Sequence, residues 1–233
     1  MFLRNLFVVN AVMLLLFTAV TLHADDEHSE AEKLLFETDH LKKITKPVKL
    51  HYTFVKSGTL EQSFQDEVEI SIDKIMPDGG KKITAEFFSG PNKKNFPPIE
   101  EEVKSNPVLL YFLERDVSEM QRLTGGKPPY FRKRIRIALA DHAEVHTVKF
   151  VFDGKEVDGK EIKIVPYAND ELKERLGKHV GKYYLFTLSN KIPGEVYRLR
   201  SVTPDNRSGG PSTEKPLIEE TLTFSPVEKR AQQ

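Results

Sequence analysis

From residue 48 onward, apolar side chains recur at every second position. Val48, Leu50, Tyr52 and Phe54 alternate with Lys49, His51 and Thr53, while Val68, Ile70 and Ile72 alternate with Glu67, Glu69, Ser71 and Asp73. A period of two marks a strand with one buried face, so strands are expected at Val48–Lys56 and Phe64–Ile75. Pro77, Asp78, Gly79 and Gly80 supply a turn, because proline fixes φ and glycine permits positive φ. A third strand is then expected at Lys82–Phe88, completing an antiparallel meander.

The period then lengthens. Leu109, Phe112, Leu113, Val117, Met120 and Leu123 form one helical stripe, preceded by Ser105 or Asn106 as a cap and by Pro107, and stopped by Gly125 and Gly126. Pro128 and Pro129 open a second helix through Ala140, with Phe131, Ile135, Ala138 and Leu139 facing inward. Strands return at Val145–Phe152, Lys155–Val165, Lys182–Ser189 and Glu195–Thr203, with a short helix near Glu171–Leu176. Before all of these, Leu34, Leu35, Thr38 and Leu41 predict a short amphipathic helix over Ala31–Leu41. Residues 89–102 read as irregular, broken by Gly90-Pro91 and Pro97-Pro98.

The sum is an α+β fold: a curved, mostly antiparallel sheet of about eight strands, half-barrel-like, with a helical insertion covering one face. Hairpin-length connections leave no room for βαβ units. The expected organisation is a leader at 1–24, an acidic linker at 25–30, a single domain at 31–203, a flexible loop at 204–216, a final strand at 217–224 and a polar tail at 225–233.

The leader changes the picture of where the chain works. Arg4 precedes an apolar stretch from Leu6 to Leu22, and Ala24 stands before Asp25, Asp26 and Glu27. That order is the layout of a secretory signal peptide and predicts a periplasmic or secreted protein. The alternative is an uncleaved anchor, since about 17 to 25 apolar residues span a bilayer; Asn10 weakens that reading. Cleavage after Ala24 leaves enough chain for one domain that buries about 70% of its unfolded surface. With no cysteine in the chain, disulfides, thiolate metal sites and cysteine nucleophiles are excluded. Lys+Arg and Asp+Glu balance at 35 each, without the basic excess of a nucleic-acid binder.

Candidate chemistry is sparse. His142 and His146 are spaced as a helical metal pair would be, but Glu144 is misplaced for a metalloprotease motif and Val145 and Val148 read as strand, which would part the rings. No metal and no cofactor is expected. Glu100, Glu101 and Glu102 read as a solvated loop, and Asp153, Glu156 and Asp158 do not fit a calcium loop. No nucleophile elbow or phosphate loop is present, so no catalytic residue is assigned. A carboxylate-dependent hydrolase remains one alternative. Arg132, Lys133, Arg134 and Arg136, beside Tyr130 and Phe131, form the densest basic cluster. They are read as charges fanning outward from the helix, a surface for anionic headgroups or an acidic envelope partner. Phe54, Phe87, Phe150, Phe152, Tyr184 and Phe186 are the aromatic strand residues that could line an apolar ligand site.

In layout the chain is similar to the periplasmic lipoprotein carriers of the LolA and LolB type. The shared features are the signal peptide, the short starting helix, the antiparallel meander, the helical lid and a late strand reading Thr223-Phe224-Ser225-Pro226. The resemblance implies an apolar cargo and carries over no binding residue. The function expected first is an exported, non-catalytic binding or carrier module for an apolar ligand or envelope partner. The second expectation is an interaction protein that docks through the basic helix 130–140. Contact with a membrane is expected only through an uncleaved leader or at the surface.

Overall fold

The computed structural model describes residues 28–96, 98–99, 103–205 and 215–226. The leader, Glu100–Glu102, most of the 204–216 loop and most of the tail lie outside these.

Among the described residues, nine antiparallel strands form one sheet in the order β4-β3-β2-β1-β9-β8-β7-β6-β5. The first meander is β1 (Val48–Ser57), β2 (Phe64–Ile75) and β3 (Lys81–Phe87), extended by the two-residue edge strand β4 (Lys94–Asn95). The second is β5 (Glu144–Phe152), β6 (Lys155–Ile164), β7 (Tyr183–Leu188), β8 (Val196–Thr203) and β9 (Ile218–Phe224). They join through β9, which pairs with β8 on one side and with β1 on the other, Phe54 opposite Leu222. Eight strands match the alternation of the sequence. The ninth, β4, lies in the segment read as irregular.

Alternation decides which face is dry. Leu50, Tyr52 and Phe54 on β1, Val68, Ile70 and Ile72 on β2, Tyr184 and Phe186 on β7, and Leu222 on β9 are all buried on the inner face. The outer face carries cross-strand ion pairs, Lys49 with Glu69 at 2.7 Å and Arg200 with Glu219 at 2.6 Å.

The sheet curls strongly at one end. β5 and β8 are three strands apart, a separation of about 14 Å in a flat sheet. Yet the rings of Phe150 and Tyr197 stack at 4.0 Å, and Phe152 on β5 lies 5.9 Å from Phe224 on β9. Gly159 on β6 makes this curl sterically feasible: a Cβ there would sit 2.5 Å from the Leu188 carbonyl oxygen and 2.8 Å from the Phe150 ring. At the opposite side Phe88, the residue after β3, has a left-handed φ of 67°. That is strained for a bulky residue, and packing of its ring on Phe54 and Phe87, both at 4.6 Å, holds it there.

The helices cover the inner face. They are α1 (Glu30–Glu32), α2 (Val108–Thr124), α3 (Pro128–Asp141) and α4 (Lys173–Leu176). A capping box at Ser29 starts α1, which runs on as a π-helical turn over Lys33–Glu37. The first helix is therefore shorter than the apolar spacing through Leu41 predicts. A buried network ends it and starts α2: His40 holds the Leu34 carbonyl through Nε2 and accepts the Asn106 N–H at Nδ1. Asn106 in turn accepts the Val108 N–H and donates to Tyr52 and the Gly194 carbonyl. Burial lowers the pKa of His40, consistent with a neutral ring in this role.

Candidate functional site

The stripe on α2 is wider than the sheet can cover. Leu109, Phe112 and Met120 are buried, whereas Leu110 on the outer flank is 54% exposed. Helix α3 runs back beside α2 and adds Ile135 and Leu139. Phe36, 38% exposed, closes one end from the turn after α1. Between these elements lies a groove of about 470 Å³, floored by Leu110, Leu113, Val117, Ile135 and Leu139 and rimmed by Glu32, Glu114, Arg132, Lys133 and Arg136. Its size falls within the range of roughly 300–1,000 Å³ typical of small-molecule sites.

Three of the four basic residues named from sequence reach this groove. Arg132 spans it, donating from Nε to Glu114 Oε1 at 2.7 Å and from Nη2 to Glu114 Oε2 at 2.6 Å. This bidentate clasp ties α3 to α2. Lys133 and Arg136 stand on the rim, and neither pairs with a described residue. Arg134 does not fan outward as the helical spacing suggests. It turns under the helix to pair with Asp170 at 2.7 Å and to donate to the Pro166 carbonyl. An acceptor placed beside α3 by the loop before α4 is what redirects it.

A second cluster lies between α2 and the sheet. Arg115 and Asp116, adjacent in the chain, both point inward and are buried. Arg115 pairs with Glu220 of β9 and lies 4.7 Å from the centre of the Phe54 ring. Asp116 accepts from Lys182 Nζ and from the Tyr184 hydroxyl, each at 2.5 Å. Lys56 of β1 joins Glu220, Glu61 and Glu119, and Arg122 ties Glu61 to Glu119. Burial opposes ionisation of Glu119, but the Arg122 hydrogen bond and the charges of Arg115 and Lys56 outweigh it and bring its pKa to about 2. Burial also raises that of Glu61, and Lys56 and Arg122 again reverse the effect. These two carboxylates are held ionised, the opposite of a proton donor kept protonated for hydrolysis.

Sequence reasoning missed this seam. Its signal was polar residues standing where apolar ones belong: Arg115 and Asp116 three and four positions after Phe112, Lys56 in the inward parity of β1, and Glu220 between Ile218 and Leu222.

Of the aromatic residues named as ligand-lining, Phe54, Phe87, Tyr184 and Phe186 are wholly enclosed, and Phe150 and Phe152 are half-buried in the curled hairpin. The helix groove is lined by other side chains. His142 ends α3 and His146 lies within β5, so the pair sits on different elements. No helix among the described residues is long and apolar enough to cross a membrane.

No family model matches the chain, and none of the curated proteins does. Among solved structures it is similar to the lipoprotein LppX of Mycobacterium tuberculosis, at 11% identity over 80% of this chain and 90% of that one, with a TM-score of 0.34. It is also similar to a LolA superfamily protein of Nitrosomonas europaea, at 10% identity over 84% and 91%, with a TM-score of 0.22.

Proposed function

We propose that this chain is an exported, non-catalytic binding module, and that it carries an amphiphile with an apolar chain and an acidic head in the groove between α2 and α3. The observation that carries the reading is the combination within one groove: an apolar floor, a bidentate arginine clasp, and two rim cations without partners among the described residues. The apolar chain would bury the exposed part of Leu110 and Phe36. The acidic head would compete with Glu114 for Arg132, whose fork fits a carboxylate or phosphate. Phe54, Phe87, Tyr184 and Phe186 would act indirectly, as the packed sheet surface that seats α2.

Native mass spectrometry of the protein recovered from an exporting host, with bound material extracted, tests this first. Titration with a fluorescent twelve-carbon fatty acid then gives the affinity. We expect saturable binding, roughly tenfold weaker in Leu110→Glu, since burying a charge against an apolar chain is unfavourable. Glu114→Gln should bind the acid several-fold more tightly because Arg132 is released, and should leave binding of the matching alcohol unchanged. A clean mass together with no saturable binding would overturn the proposal.

A further inference from the structure

We propose that the mouth of this groove docks on an anionic lipid bilayer, a step that rests on the amphiphile reading and names where the ligand is collected. Lys133 and Arg136 are one helical turn apart on α3, so they share a face. Neither has a partner among the described residues, so both are available to phosphate groups. Leu110 and Phe36, exposed apolar side chains of the same groove, stand beside them. Cations flanking exposed apolar residues complement a surface of anionic headgroups over hydrocarbon.

Partition of the protein recovered from an exporting host is measured on vesicles of phosphatidylcholine alone and with about a third phosphatidylglycerol. Each rim cation contributes about a fivefold factor on an anionic surface, so the double variant Lys133→Glu, Arg136→Glu should lose at least 25-fold on anionic vesicles. It should change little on neutral ones. Leu110→Ser, at an exposed position, should lose several-fold on both. Equal charge reversal elsewhere, at Lys74 and Lys155, should leave partition unchanged. Equal partition of the wild type on both vesicle types would overturn docking, as would retention by the rim variant or an equal loss in the Lys74, Lys155 control. The two readings fail separately: the fatty-acid titration contains no bilayer, and the partition uses no added ligand.

Discussion

Asp116 has both oxygens occupied inside the protein, one by the Lys182 ammonium and one by the Tyr184 hydroxyl, and it has no exposure to solvent. Such a pair is weak evidence of stability taken whole, because removing two charges from water offsets most of their attraction. Removing one partner is different, since the other is left buried and unpaired. Asp116→Ala should therefore lose about 3 to 5 kcal/mol in urea unfolding. The double variant Asp116→Leu, Lys182→Met should regain most of it, because no charge remains to be compensated. If the double variant is as unstable as the single one, the loss comes from packing around α2 and the unpaired-charge argument is wrong.

At the scale of elements, the curl of the sheet depends on what is missing at Gly159. The Leu188 carbonyl that a new Cβ would meet is backbone of the neighbouring strand, so relief requires β6 to move away from β7. Gly159→Ala should cost roughly 1–3 kcal/mol and weaken the stacking of Phe150 on Tyr197. In a double-mutant cycle Phe150→Ala should then cost less in the Gly159→Ala background than in the wild type; strict additivity would mean the hairpin curls for another reason. This is also where legibility in the sequence ends. Period-two runs locate β1, β2 and β5 to β9, the turn at Pro77–Gly80 adds β3, and the stripe on α2 locates its helix. The pairing of β1 with β9 joins the two ends of the domain and leaves no local pattern. Nor could spacing along α3 separate Lys133 and Arg136, which have no acceptor among the described residues, from Arg132 and Arg134, whose acceptors are supplied by α2 and by the loop before α4. The groove leaves no signature in the sequence for a similar reason: it is made by helix faces turned away from the aromatic strands.

For the whole molecule, balanced formal charge does not mean that stability is indifferent to pH. His179 is buried beside Thr203 at the end of β8, and burial, with Lys182 and Lys178 nearby, brings its pKa to about 4. In the unfolded chain a histidine titrates near 6.5. Between those values the unfolded state binds the extra proton, so stability is full above pH 6.5 and falls as the pH drops toward 4. The shift corresponds to about 3 kcal/mol. His40 is displaced in the same direction by burial and adds to the loss below pH 6.5. Glu119 acts lower down: with its pKa near 2 in the fold, its contribution is present above the ordinary carboxylate value and disappears as the pH falls from 4.5 to 2. Urea midpoints measured at pH 7, 5 and 3.5 should therefore decline in two legs. His179→Gln should remove much of the upper leg and leave a remainder belonging to His40, while Glu119→Gln should flatten only the lower one. A wild-type midpoint that stays level from pH 7 to 4.5 would mean that both buried rings accept protons in the fold. Because His179 sits beside Lys182, and Lys182 holds Asp116 of α2, protonation there adds positive charge to the seam that fastens the helical cover to the sheet. Acid should thus loosen α2 before it unravels the strands, with near-ultraviolet circular dichroism lost ahead of the far-ultraviolet signal.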